Sequence, residues 1–312
     1  MGFELNTEID TMAILKGIIG LVILGGGVMF ILTWSGLMKC NSVPYWCDAY
    51  ELAMGSPRVL IAYGDSGLGD PDLLKQYLQD PTIVGAEAVD TQHVDNLSLG
   101  NLKGYELIIV EHSRKISYEQ LQMFMDYANQ GGRLVWVGDS GVEKSSKEVQ
   151  DISDINALAN LGDNPWVRVE ETSTYMLNFD EFLSLTYIDN YCNEKDCSEE
   201  LFRVGTLVPE PTRNHPLIFG ASTKTEFRVA DGRDFAIVNL IPNSPNSNIV
   251  MSIDFGSTIV GKETTIGKSI PFIVTSGLGE RIAYYAYPPE LLVQDNNSYT
   301  LIKNMYYGML GK

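Results

Sequence analysis

The chain has 312 residues, 45% of them hydrophobic, and sets 22 Lys and Arg against 40 Asp and Glu for a formal charge of −18. With no basic stripe to displace counterions from phosphates, that balance argues against nucleic acid as a partner and leaves solubility as the plain role of the acidity. Setting aside an apolar segment near the start leaves roughly 270 residues, enough for one large domain or two small ones.

The apolar segment runs from Gly17 to Met38 without a charged residue. At the helical rise it spans about 33 Å, against a bilayer core of about 30 Å, and predicts one transmembrane helix embedded in lipid. A signal peptide is the rival reading, but it has a basic head and a shorter apolar stretch. Here the head carries Glu4, Glu8 and Asp10, with Lys16 next to the span, which favours a retained anchor. Lys16-Gly17 resembles the processing site of archaeal class III signal peptides, although the acidic residue usual after the cut is absent. Residues 1–38 are thus a short head and anchor, and 39–56 a juxtamembrane linker.

Basic residues flank the span on both sides, with Lys16 before it and Lys39 and Arg58 after, so they do not set its orientation. The cysteines carry more information. Cys40 and Cys47 bracket one short loop and Cys192 and Cys197 another, a pattern fitting two local disulfides in an oxidising space. Three pairings are open, as is a zinc site, whose ligands are usually spaced more tightly. The acceptor motifs at Asn96 and Asn296 agree with a glycosylated domain outside the cytoplasm.

From residue 57 onward the sequence predicts an α/β domain with a mostly parallel sheet and flanking helices. Arg58 to Tyr63 reads as a strand, ending at a Gly- and Asp-rich turn where Asp70 caps a helix opened by Pro71. Strands follow at Ile83–Val89 and Tyr105–Val110. A helix then starts at Ser117 with a capping box to Gln120 and stops at Gly131-Gly132, and Arg133 to Val137 forms a fourth strand. Strands alternating with helices bring the strand ends, and the default ligand crevice, to one side of the sheet. Residues 141–203 read as an exposed acidic excursion stapled by Cys192 and Cys197, suited to meeting a partner. Later strands are expected at Phe235–Leu240, Ile249–Phe255 and Arg281–Tyr287. A closing helix from Tyr299 to Met309 places Leu301, Ile302, Met305, Tyr306 and Met309 on one face.

Several of these segments together resemble the glutamine-amidotransferase-like fold, in particular its ThuA-like (trehalose-utilisation) branch. They are Tyr105 to Val110, the helix from Ser117, the run Gln130 to Gly138, Asn214-His215-Pro216-Leu217-Ile218-Phe219-Gly220, Gly277 to Ile282, and the helix containing Leu301 to Asn304. The resemblance implies a Cys nucleophile on the tight turn after a sheet strand, activated by a neighbouring base. That turn reads Gly138-Asp139-Ser140-Gly141 and has no Cys.

Candidate chemistry gathers near that turn. Ser140 is a replacement nucleophile or a turn former, Glu111 or Asp139 an orienting acid, and His112 and His215 the candidate bases. Asp65, Glu111, His112 and Asp139 offer oxygen and imidazole ligands for a divalent metal. His93 reads as a solvated surface residue. No cofactor is implied and a small-molecule ligand is left open. The leading expectation is a noncatalytic, single-pass membrane subunit that assembles with a membrane or cell-envelope protein. The alternative is a divergent anchored hydrolase or carbohydrate-processing enzyme.

Overall fold

A computed structural model of the protein describes residues 11–34, 43, 45–145, 148, 164–170, 175–197, 201–210, 215–220, 225–230, 232–242, 244, 247–262, 264–292 and 296–310. The chain divides into an N-terminal unit up to Gly55 and a larger unit, Ser56–Leu310.

In the N-terminal unit, helix α1 (Thr11–Trp34) contains a stretch, Ile14–Thr33, long and apolar enough to cross a membrane. It begins earlier than the sequence reading placed it and takes Lys16 into the helix, while Leu37 and Met38 lie outside the described residues. A second helix, α2 (Trp46–Met54), occupies much of the expected linker. This corrects the turn-rich reading of residues 39–56: from Trp46 to Met54 there is neither Gly nor Pro, and Ala, Glu, Leu and Met favour the helix. Trp46 Nε1 donates to Thr33 Oγ1 at 2.9 Å, and the rings of Phe30 and Tyr50 approach to 5.3 Å, so α2 folds back on the end of α1. Cys40 lies outside the described residues, and the pairing expected for it and Cys47 is not placed.

The larger unit is built on β1 (Arg58–Tyr63), β2 (Ala88–His93), β3 (Leu107–Val110) and β4 (Arg133–Val137), with helices α3 (Pro71–Gln79), α4 (Leu99–Leu102) and α5 (Tyr118–Asn129) between them. Then come β5 (Val167–Val169), β6 (Met176–Asn178), α6 (Phe179–Leu183), β7 (Leu185–Asn190), α7 (Tyr191–Glu194), β8 (Leu201–Pro209), β9 (Thr225–Ala230) and β10 (Ala236–Leu240). β11 (Asn248–Val260), β12 (Thr265–Ser276), β13 (Ile282–Tyr285) and α8 (Asn296–Leu310) complete it. Nine strands form the main sheet in the order β2-β1-β3-β4-β13-β12-β11-β8-β9.

The sheet is mixed rather than mostly parallel. Parallel pairings run from β2 to β13, and the pairings from β13 to β9 are antiparallel. The cause is connection length. A parallel neighbour needs a crossover, whereas β11, β12 and β13 follow one another through turns too short for anything but antiparallel return. A second correction concerns β2, which begins after the expected Ile83. The amides of Ile83, Val84 and Gly85 all donate to the carbonyl of Asp80 at 2.9–3.0 Å, so a turn consumes the hydrogen bonds a strand would need.

The helices follow their sequence signals. Asp70 accepts from Leu73 N at the start of α3, and Ser117 and Gln120 form the reciprocal box at the start of α5. Leu301, Ile302, Met305, Tyr306 and Met309 of α8 are buried. The excursion is the third correction, since much of it is core. Trp166, Val167, Arg168, Phe179, Leu183 and Leu185 are buried. Arg168 Nη1 pairs with Glu148 Oε2 at 2.8 Å and its Nη2 donates to the carbonyls of Gly141 and Glu143. Glu148 Oε1 in turn accepts from the amides of Tyr118 and Ser145. Cys192 and Cys197 form a disulfide across α7, with Cα atoms 5.5 Å apart.

Candidate functional site

Four chain segments meet at the carboxyl ends of the parallel strands: Gly64 to Asp70 after β1, Glu111 to Arg114 after β3, Gly138 to Gly141 after β4, and Ala286 to Glu290 after β13. The first lies directly on the second. Gly64 N donates to His112 O at 3.0 Å, His112 N to Leu68 O at 2.7 Å, and Arg114 N to Ser66 O at 2.7 Å. Gly67 has φ +130, and a Cβ there would come within 2.9 Å of Ser113 N, so only glycine permits this approach.

Asp139 is the polar hub of the third segment. Its Oδ1 accepts from Leu68 N at 2.8 Å, and its Oδ2 accepts from Arg114 Nη1 at 3.1 Å and Asn190 Nδ2 at 3.0 Å. Asn190 also accepts from the Tyr187 hydroxyl at 3.0 Å. The carboxylate is thus buried with both oxygens engaged, an arrangement that fixes three elements to one another. Burial pushes the Tyr187 and Tyr284 hydroxyls well above the ordinary tyrosine range, with Asp139 adding to the shift in each. Ser140 is also buried. Its Oγ reaches only Val110 O at 3.5 Å, while its carbonyl accepts from Trp136 Nε1 at 2.9 Å and Trp166 Nε1 at 3.0 Å. A cavity of about 320 Å³ opens beside this hub, between Arg114, Lys144, Tyr187 and Asp189.

His112 sits at the sheet end as the sequence suggested, with a backbone φ of 48° unusual for a residue with a side chain. Its Nδ1 is buried and meets no hydrogen-bond partner. His215 belongs elsewhere. It caps a short 3₁₀ turn, with Nδ1 accepting from Leu217 N at 3.2 Å and Nε2 lying 2.7 Å from Glu280 Oε2. That pattern assigns the proton to Nε2 and occupies both ring nitrogens. Ile282 pairs with Leu134, so Glu280 is level with Gly132, and roughly seven residues or about 20 Å of strand separate it from Asp139. His215 and the 138–141 turn therefore stand at opposite ends of the sheet. A larger cavity, about 600 Å³, lies at the His215 end, between α5, α6 and the turn Gly277–Arg281.

The four residues considered for a metal do not act as one set. Asp65 is 97% exposed and pairs with His93 Nε2 at 3.3 Å, Asp139 is spent on its hub, and Glu111 is fully buried. Among the described residues, no three His, Cys, Asp or Glu side chains gather in a way that holds a metal. Asn96 is exposed at the end of a 3₁₀ turn, and Asn296 opens α8.

Sequence reasoning passed over Glu290. It is 3% exposed, its Oε1 accepts from Asp70 N at 3.0 Å and its Oε2 has no partner. Burial raises its carboxyl to about 7 against the amide of Asp70, which favours the ionised form, with the Asp70 charge adding a smaller upward push; burial, with the Glu290 and Asp70 charges, raises Glu111 well above the usual range. The available signal was a lone acid within Tyr-Pro-Pro-Glu-Leu-Leu, an apolar setting in which a carboxylate has no evident partner.

No family model matches the chain, and no curated protein matches it. Among solved structures it is similar to a ThuA-like protein from Bacteroides uniformis, with a TM-score of 0.55 at 13% identity, over 81% of this chain and 92% of that one. The likeness is one of fold. A ThuA-like protein from Parabacteroides merdae superposes with a TM-score of 0.46 at 14% identity, over 82% of this chain and 91% of that one. A β-galactosidase from Rahnella sp. R3 gives 0.48 at 12% identity, over 84% of this chain and 32% of that one.

Proposed function

We propose that the protein is a noncatalytic, membrane-anchored binding or assembly subunit, a glutamine-amidotransferase-like domain without its nucleophile, held outside the cytoplasm by α1. The turn after β4 carries this reading. Its first left-handed position is Gly138, at φ +59, where a Cβ would lie 2.9 Å from Leu68 Cβ, and its second is Gly141, at φ +70, where a Cβ would lie 3.1 Å from the Trp136 ring. A side chain projecting from either point has no room, and the neighbours that would serve it are committed. Asp139 holds the hub, Ser140 is buried under two indoles, and His215 is at the far end of the sheet. A fold does not transmit an activity whose reacting atom is missing.

Attachment through α1 fits the aromatic residues at its end. Tyr45, Trp46 and Tyr50 follow the apolar stretch, the composition of a membrane–water boundary. The Cys192–Cys197 disulfide and the exposed Asn96 fit an oxidising, extracytoplasmic space. The partner is then a second membrane or envelope protein. Extraction in mild detergent followed by affinity purification of the full chain should recover a stoichiometric envelope protein. Recovery of the chain alone, with no binding to envelope fractions, would remove the proposal. Protease protection in intact cells or vesicles tests the orientation, and digestion of the large unit only after membrane rupture would reverse it.

One observation favours an enzymatic reading, namely His112 with its unpartnered Nδ1 at the sheet end. Hydrolysis of glycosides or amides by the purified chain that disappears in His112→Ala would establish that alternative.

A further inference from the structure

Glu111 and Glu290 are carboxyl groups shut away from water beneath the loop Gly64–Asp70, and neither belongs to the Asp139 hub. Both oxygens of Glu111 and Oε2 of Glu290 are buried without a hydrogen-bond partner. Each acid touches the loop. Gly69, at φ +122, passes so close to Glu111 that a Cβ there would meet its Cβ, Cδ and Oε2 at 3.1 Å, and Asp70 N donates to Glu290 Oε1. The titratable and charged groups acting on the pair are Asp70 from the loop, Arg233 from the turn after β9, and the Tyr287 hydroxyl, which burial together with the Glu290 charge keeps protonated. Asp70 adds negative charge, and Arg233 is exposed and opposes it only for Glu290. Two carboxylates set against the consecutive loop residues Gly69 and Asp70, both desolvated, cannot be ionised together without leaving uncompensated charge in the interior.

We propose that Glu111 and Glu290 hold one proton between them, and that this proton is the latch keeping the Gly64–Asp70 loop seated over the carboxyl ends of β1 and β3. The loop covers the crevice where ligands of open α/β sheets ordinarily enter, with His112 beneath it. While the proton is present the two acids carry no more than one buried negative charge, and the loop stays seated. Loss of the proton leaves two buried negative charges facing Asp70, and the relief available is for the loop to lift and admit water. Rising pH therefore uncovers the sheet end.

The direction follows from linkage. The folded state keeps a proton that the unfolded chain releases above about 4.5, so stability declines as pH rises from there through about 7, the value for Glu290. The test uses the full chain in detergent. Hydrogen exchange at Leu68 and Asp70, corrected for the intrinsic effect of base, is expected to quicken at least about ten-fold between pH 6 and pH 8.5. Glu111→Gln and Glu290→Gln each replace one acid by a neutral amide of nearly the same shape, and are expected to flatten that response. Unchanged protection in the natural protein, or the same pH response in both variants, overturns the proposal. Infrared spectra of the natural protein labelled with ¹³C-glutamate decide the matter even where a variant fails to fold. A protonated glutamyl carbonyl band present at pH 6 and lost by pH 8.5 is expected, and its absence at pH 6 also overturns the latch.

Discussion

The parallel and antiparallel halves of the main sheet are constructed differently. In the parallel half, β1, β3 and β4 are four to six residues long and buried almost throughout. In the antiparallel half, β11 and β12 run for 13 and 12 residues, shift register several times, and emerge into solvent beyond Asp254. Helices cover the first half on both faces, so its strands are continuous apolar runs. The second half relies on alternation, as in β9, where Phe227 and Val229 point inward while Glu226 and Arg228 form a surface pair. Stability should therefore concentrate in the parallel half and its attached insert.

The largest effect is expected where the insert is pinned to that half. Arg168→Met removes the buried guanidinium that pairs with Glu148 and should cost about 3–5 kcal/mol in denaturant unfolding. A loss under about 1 kcal/mol would mean that the insert is only loosely joined. A matched pair of truncations compares the halves directly. Ile109→Ala in β3 is expected to cost about 2–5 kcal/mol, and Val260→Ala in the emergent end of β11 less than about 0.5. Equal costs would erase the distinction. Cys192→Ser with Cys197→Ser opens a short loop and should lower stability by about 2 kcal/mol, read as the shift in melting temperature with and without reductant.

The smallest effect concerns Asp234, whose carboxyl is raised to about 6 by burial, with Asp139 and Asp189 adding to it while the amides of Cys192 and Phe235 oppose. Because its folded value exceeds its unfolded one, it is best accommodated in acid, and its contribution is lost as pH rises through about 6. Asp234→Asn should flatten the melting curve between about pH 4 and pH 6 and leave the steeper decline near pH 7 in place.

The same contrast explains what the sequence disclosed. Short buried strands such as Arg133 to Val137 announce themselves as unbroken apolar runs, and Ser117 with Gln120 marks a helix start with little ambiguity. β12 carries no such signature. Thr265-Ile266-Gly267-Lys268-Ser269 reads as a turn and Pro271 as a breaker, and only pairing with β11 on one side and β13 on the other makes a strand of it. At the sheet end, the position of His112 and Asp139 was legible because loops follow strands. Their roles were not, since Asp139 is defined by Arg114, Asn190 and the amide of Leu68, partners 25 to 71 residues distant in the chain. Glu290 likewise acquires meaning only when Glu111 is set beside it.

The carbonyl of Ser140, shared by the indoles of Trp136 and Trp166, has a practical consequence. Of the four tryptophans, Trp34 and Trp46 belong to the N-terminal unit, so in the larger unit only these two emit. One is in the sheet and the other in the insert, and both rest on one oxygen atom. Their combined fluorescence is a built-in gauge of whether insert and sheet remain joined, readable without any attached label.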